Sequence, residues 1–158
     1  MRLIVLSDSH FATHKVREIV AAHKDTAHLF IHLGDGIGDL QEARRLWPRL
    51  SFVCVRGNND PNGPEPKTLV MYQGGYRLLL THGDLFGVKY SMDGLESAAR
   101  AEGAEIALYG HTHIAAVQCR NGLYLINPGS VVPNRYGDCG YLCLDLLPTG
   151  IFPSLQGL

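Results

Sequence analysis

The sequence has no stretch approaching the roughly 20 consecutive apolar residues that a membrane-crossing helix needs, so a membrane-spanning helix is excluded. The first apolar stretch, Leu3–Leu6, is soon interrupted by Asp8 and His10 and lacks a small-residue cleavage site. It reads as a core strand and not as a signal peptide. Neither sign of charge is in excess. With 14 Lys and Arg against 15 Asp and Glu the formal net charge is −1. No global field gathers polyanions, and no stable nucleic-acid complex is expected. Cysteine is sparse, four in 158 residues, with no C-x-x-C pair. Cys54, Cys119 and Cys143 lie in apolar or strand-like runs, and Cys139 with Cys143 would supply only half a metal site. A reduced, cytoplasmic protein is the expectation. Repeats, low-complexity segments and linkers are absent, and 158 residues suit one domain spanning 1–158. The run Gly34-Asp35-Gly36-Ile37-Gly38 lacks the third glycine of a dinucleotide fingerprint.

What is present is a good core and an unusual stock of histidine. Apolar residues make up 46% of the chain, enough to fold, and eight residues are His. Leu3–Leu6, Leu29–Leu33 and Phe52–Val55 are short apolar runs ending in polar clusters, the pattern of buried parallel strands. Between the first two, Thr13–His23 places Val16, Ile19 and Val20 on one helical face. Asp39 with Glu42 three residues on resembles a capping box, opening a helix with Leu40, Ala43 and Leu46 inward and Pro48 as its stop. The first third therefore predicts β-α-β-α-β with right-handed crossovers. Further on, Thr68–Tyr72 and Tyr76–Thr81 flank Gly74-Gly75 as a hairpin. Ser91–Glu102 predicts a helix with Met92, Leu95, Ala98 and Ala99 inward. Glu105–Tyr109 is another strand, and Ile114–Cys119 and Leu123–Ile126 flank the hairpin signal Asn121-Gly122. Tyr141–Leu147 closes the set, and the apolar tail Ile151–Leu158 is either a closing strand or an interface. The fold class is α/β, parallel at first, with antiparallel additions.

The chemistry collects where the strands end. Asp8-Ser9-His10 follows the first strand, Gly34-Asp35 the second and Gly57-Asn58-Asn59-Asp60 the third. His82-Gly83-Asp84 and Gly110-His111-Thr112-His113 follow two later strands. Ligands of open α/β sheets bind at the carboxyl ends of strands. Each cluster alone is an ordinary turn, cap or core histidine. Five in order, each at a strand terminus, make one cup of two carboxylates, an amide oxygen and four imidazoles. Such donors without thiolate suit Mn, Fe, Ni, Co or Zn and exclude soft copper or iron–sulfur sites. His14, His23, His28 and His32 lie on helix faces or within a strand and receive no role.

The ordered set Asp8-x-His10, Gly34-Asp35, Gly57-Asn58-Asn59-Asp60, His82-Gly83 and Gly110-His111-x-His113 resembles the calcineurin-like metallophosphoesterases. With Asn127-Pro128-Gly129-Ser130 it is similar to their small bacterial and archaeal phosphodiesterase branch. The resemblance covers residues 8–130. It implies two mixed β-sheets packed as a sandwich and flanked by helices, four layers in all. It implies a binuclear phosphoesterase in which a metal-bridging hydroxide attacks phosphorus. The implied cofactors are two divalent ions, Mn2+ first, with Ni2+, Fe2+, Zn2+ or Co2+ compatible. Asp8, His10, Asp35 and His113 would hold one ion; Asp35, Asn58, His82 and His111 the other. Asn58, Asn59, Asp60 and His111 are the residues assigned to catalysis.

One departure matters. The larger family usually has His where this chain has Asn59, and an amide cannot transfer a proton. Esters with poor leaving groups should turn over more slowly, since a general acid contributes about 10²–10⁴-fold. Asp60 reads equally as a group that orients a ligand or a water and as a turn-capping carboxylate. Arg56 and Arg135 are candidates for a substrate phosphate and, as readily, surface ion-pair residues. Asp84 is a candidate to orient an imidazole, and Asn127–Ser130 to wall the site. A small phosphate ester is the expected substrate, hydrolysed most readily as a diester in an open site. The rival reading is a non-catalytic protein-binding scaffold on the same fold; the complete ligand set argues for the enzyme. A nuclease is disfavoured by the missing basic segments. A homodimer is the default assembly.

Overall fold

The computed structural model describes residues 1–158. Ten strands form two sheets of five, with strand order β10-β9-β1-β2-β3 in one and β4-β5-β6-β8-β7 in the other. The first sheet comprises β1 (Arg2–Leu6), β2 (Leu29–His32), β3 (Phe52–Cys54), β9 (Gly140–Leu147) and β10 (Gly150–Gly157). The second comprises β4 (Thr68–Gln73), β5 (Tyr76–Thr81), β6 (Ile106–Leu108), β7 (Ala116–Arg120) and β8 (Leu123–Asn127). The helices are α1 (Thr13–His23), α2 (Leu40–Leu46) and α3 (Asp93–Ala101).

Period-two alternation explains why both faces of each sheet are covered. Leu3 and Val5 of β1 and Leu29 and Ile31 of β2 meet Leu78, Leu80, Ile106, Leu108 and Ile126 in a core between the sheets. Their neighbours Ile4, Leu6 and Phe30 face the other way, onto Val16, Ile19 and Val20 of α1 and Leu40 and Ala43 of α2. On the far side Leu79, Ala107 and Leu125 pack against Leu95 and Ala99 of α3. The order is helix, sheet, sheet, helix: the four layers expected.

Several local expectations are corrected. No capping box forms at α2: Asp39 makes no cap hydrogen bond there. Its carboxylate instead binds Ser9 Oγ, Phe11 N and Thr13 Oγ1, because tying two loops together satisfies it more fully than one helix end would. Leu46 is 46% exposed, since α2 ends before its last turn returns to the sheet. Met92 and Ala98 are only partly buried; Leu95 and Ala99 carry the buried face of α3. The parallel part is also larger than expected, because β5, β6 and β8 pair in parallel as β1, β2 and β3 do. The apolar tail is β10, an antiparallel edge strand along all of β9. At an edge, Pro153 costs no ladder bond.

Candidate metal centre

The carboxyl ends of β1, β2, β5 and β6 converge, bringing six of the seven expected ligands together as two groups. Asp8, His10 and His113 form one and Asp35, His82 and His111 the other, the donor atoms within each lying inside 4.8 Å of one another. In the first, His10 Nε2 and His113 Nε2 are 3.2 Å apart. In the second, His82 Nε2 is 3.1 Å from His111 Nδ1 and 3.4 Å from Asp35 Oδ2.

Asp8 joins the groups. It is fully buried, and its Oδ2 accepts from Ser7 Oγ at 2.6 Å and from the His111 backbone N–H at 3.1 Å. Its Oδ1 has no well-formed hydrogen bond. Three imidazole nitrogens surround that oxygen: His113 Nε2 at 3.1 Å, and His10 Nε2 and His82 Nε2 each at 3.9 Å. A buried carboxylate oxygen left without a partner is costly, and an ion is one explanation for it. His82 gives a second sign. Its Nδ1 lies 2.8 Å from the Leu33 carbonyl, so Nδ1 carries the proton and donates. In neutral His82 the Nε2 lone pair then faces the acceptor oxygen of Asp35. Two acceptors at that distance need a proton or a cation between them, and divalent ions fit this donor set.

The electrostatics agree. Burial alone would raise the pKa of Asp8, but the approach of His113, the charge of His82 and the Ser7 hydroxyl bring it below the ordinary value. For Asp35, burial is likewise outweighed, by His82 and by hydrogen bonds from Asn59, and the carboxyl is held well below the usual carboxylate range. Burial pulls the His82 pKa down while Asp35 and Asp8 push it up, and the carboxylates win. Both acids are thus anionic at neutral pH.

The backbone is strained here and almost nowhere else. Asp8, His10, Asp35, His111 and His113 have φ of +54°, +42°, +55°, +67° and +60°. Phe11 and Asn121 are the other non-glycine residues in that region, and Asn121 belongs to the β7–β8 turn. Left-handed backbone costs on the order of 1 kcal/mol or more per residue and persists where the surroundings over-determine it, characteristically at functional sites. Gly57 and Gly110 allow the close packing: a Cβ on the first would overlap Asp35 Oδ1, and on the second Ser7 Oγ.

The comparisons with known proteins fit this geometry. Residues 1–147 match the model of the calcineurin-like phosphoesterase superfamily domain. The chain belongs to that superfamily. It is 33% identical to the probable metallophosphoesterase YsnB of Bacillus subtilis, covering 83% of this chain and 75% of that protein. It is 30% identical to the phosphodiesterase YfcE of Escherichia coli, covering 92% and 88%. A crystal structure of a predicted phosphoesterase from Streptococcus pneumoniae superposes with a TM-score of 0.78 at 25% identity, covering 98% of this chain and 97% of that one.

The remaining residues singled out from the sequence sort by what they touch. Asn58 is exposed, and its side chain makes no hydrogen bond to either donor group. Asn59 clamps Asp35: its backbone N–H donates to Oδ1 at 2.8 Å and its Nδ2 to Oδ2 at 2.6 Å. Asp60 is a turn cap. Its carboxylate accepts the backbone N–H groups of Asp35, Gly36, Ile37 and Gly57 at 2.7, 2.8, 3.1 and 2.8 Å. Arg56 braces its own loop through the Glu65 carbonyl and Asn62, and Arg135 lies over the Tyr136 ring. Asp84 pairs with Lys67 at 3.2 Å and not with an imidazole. Ser130 Oγ donates to the Asp8 carbonyl, while Asn127 Nδ2 donates to the Gly110 carbonyl, so that segment fastens two ligand-bearing strand ends. All four cysteines are free thiols.

Sequence reasoning missed one buried chain. Neutral His32, fully buried, accepts the Gly34 N–H at Nδ1 and donates from Nε2 to Ser9 Oγ at 3.0 Å. Ser9 in turn donates to Asp39 Oδ2 at 2.5 Å. Burial pushes the His32 pKa down to about 4. The chain ties the loop carrying Asp8 and His10 to the loop carrying Asp35. Its members sit beside the motifs in sequence, but adjacency alone does not reveal their partners.

Proposed function

We propose that this protein is a divalent-metal-dependent phosphodiesterase hydrolysing small phosphate esters at a centre for two ions, Mn2+ first among them. The observation that carries the reading is the pair of donor groups meeting at the unpartnered Asp8 Oδ1. Asp8, His10 and His113 would hold one ion, His82 and His111 the other, with Asp35 between them. Asn58 would complete the second set by turning inward from its exposed position. Ions bound there would neutralise charge on the phosphoryl oxygens and lower the pKa of a water toward neutrality.

The chain's own residues prepare the site for that chemistry. Asp8 and Asp35 are kept anionic, so no proton must be expelled from them before binding. The Leu33 carbonyl fixes the His82 tautomer and leaves Nε2 free to ligate. Asn59 and Asp60 hold Asp35 by its side chain and its backbone respectively. Asn59 has an amide where the superfamily usually has an imidazole and cannot return a proton to a leaving group. Esters of acidic alcohols, which leave without protonation, are therefore the better substrates. The kinship with YfcE, itself named a phosphodiesterase, supports the diester preference.

The test is hydrolysis of bis-p-nitrophenyl phosphate and p-nitrophenyl phosphate by metal-stripped protein with Mn2+, Ni2+, Zn2+ or Mg2+ restored, beside His82→Ala. The expected result is metal-restored turnover, faster on the diester and abolished in the variant. Tight metal binding without turnover on either ester would overturn the enzyme reading in favour of a binding scaffold.

A further inference from the structure

Opening from the metal centre is a cleft of about 570 Å³, part of whose wall has no role in holding the ions. His10, Asp35, Asn59 and Asp60 line it on the side of the centre, and Phe11 forms part of its wall. That volume lies within the range of small-ligand sites. Phe11 is the residue that needs explaining. It is 94% exposed, and its backbone sits at φ +71°, a conformation that bulky residues avoid. A single exposed apolar side chain is ordinary. Here exposure and backbone strain coincide, so neither burial nor local preference keeps Phe11 where it is. What holds it is the Phe11 N–H bonded to Asp39 Oδ2 at 3.1 Å, in the same polar chain that ties the ligand loops together. That bond fixes the Phe11 backbone in the wall of the cleft, next to the ligand His10 in the chain.

The rest of the wall is equally particular. The Gln41 amide lines the cleft without a hydrogen bond to the protein, and Asn62 uses only its oxygen, on Arg56, leaving its NH₂ free. Arg44 lines it too, with no carboxylate partner and only a weak contact to Cys54 Sγ at 3.5 Å. Two amides and a guanidinium thus line the same cleft as an aromatic residue, offering hydrogen-bond donors and acceptors together with a stacking surface. A nucleobase has that complement: a π-face, and an edge of ring nitrogens and exocyclic groups.

We propose that this cleft receives the nucleoside end of a phosphodiester substrate, with Phe11 as the stacking platform for the base. The inference rests on the phosphodiesterase reading and narrows it to diesters bearing a nucleoside on one side. Phe11 acts here as a specificity residue and takes no part in bond cleavage.

Calorimetric titration of the Mn2+-loaded protein with adenosine 5′-monophosphate and with ribose 5-phosphate isolates the base from the sugar phosphate. The nucleotide should bind roughly tenfold more tightly, the scale of one stacked base. Phe11→Asn removes the ring while keeping a residue that tolerates left-handed backbone, and should bring the two affinities together. Its melting temperature should not fall, whereas a merely structural Phe11 would lower it. Phe11→Trp should preserve the difference, as should Tyr90→Ala, which removes an equally exposed aromatic outside the cleft. Equal affinities in the unmodified protein, or a difference that survives in Phe11→Asn, would overturn the proposal. If neither phosphate binds, bis-p-nitrophenyl phosphate turnover by the same preparation separates the two readings: retained turnover overturns the nucleoside proposal alone, and absent turnover overturns the phosphoesterase reading beneath it as well.

Discussion

Replacing Asp60 by Asn should destabilise the metal-free protein by about 3 kcal/mol and loosen Asp35 at the same time. Oδ1 of Asp60 accepts Gly36 N–H and Ile37 N–H, and Oδ2 accepts Asp35 N–H and Gly57 N–H. In Asn one of those oxygens becomes an NH₂ group facing two donors. Either orientation therefore loses two charge-assisted bonds. Each such bond contributes about 1.5–3 kcal/mol net, and the partial exposure of the site favours the lower figure. The four N–H groups overcome burial and depress the Asp60 pKa, so the wild-type contribution is full above the unfolded value of 3.8 and is lost as pH falls through the folded one. Urea denaturation at pH 7 measures the change in stability. Calorimetric Mn2+ titration measures the second effect, since supports behind ligands typically govern about 10–100-fold in metal affinity. A stability loss below about 1 kcal/mol with unchanged Mn2+ affinity would refute the view that Asp60 organises the Asp35 and Gly57 loops.

Two other outcomes follow from the same geometry. The His32 pKa falls from 6.5 unfolded to about 4 folded, so the unfolded chain takes up the proton first. Stability is therefore full above pH 6.5 and declines toward pH 4, by about 3 kcal/mol from this residue; denaturation curves of His32→Gln should be flatter across that window than those of the parent, and an equal slope would exclude His32 as the cause. Asn59→His should raise turnover of alkyl diesters relative to nitrophenyl diesters by about 10²-fold, because only a poor leaving group needs the proton. Loss of Mn2+ affinity in the same variant would measure how far Asp35 depends on the Asn59 clamp.

Much of the architecture was legible because its causes are local. The unbroken apolar run Leu3–Leu6 marks a strand with two buried faces whatever it pairs with, and Thr13–His23 presents Val16, Ile19 and Val20 to one side by helical period alone. Asn121-Gly122 specifies its turn through two residues that accept positive φ. Misread elements were those decided at a distance. Asp39 carries the right spacing for a helix cap, yet Ser9 and Phe11 on another loop and Thr13 at the start of α1 offered it better partners. Leu46 fits the helical stripe of α2, but the helix ends too early to bury it.

The site divides along the same line. The donors themselves, their order and their place after strands are properties of the sequence, because strand ends and glycines are written locally. Which donors meet was decided by the sheets. Asp8 comes to His113, 105 positions away in sequence, only because β1 and β6 lie in opposed sheets with their carboxyl ends on one side. The tertiary structure also turned Asp60 onto four backbone N–H groups, closed the His32–Ser9–Asp39 chain and left Phe11 standing in solvent beside a cleft. Side-chain type and spacing select what chemistry a residue can do, whereas partners depend on register and packing between segments far apart in the chain, which no local pattern contains.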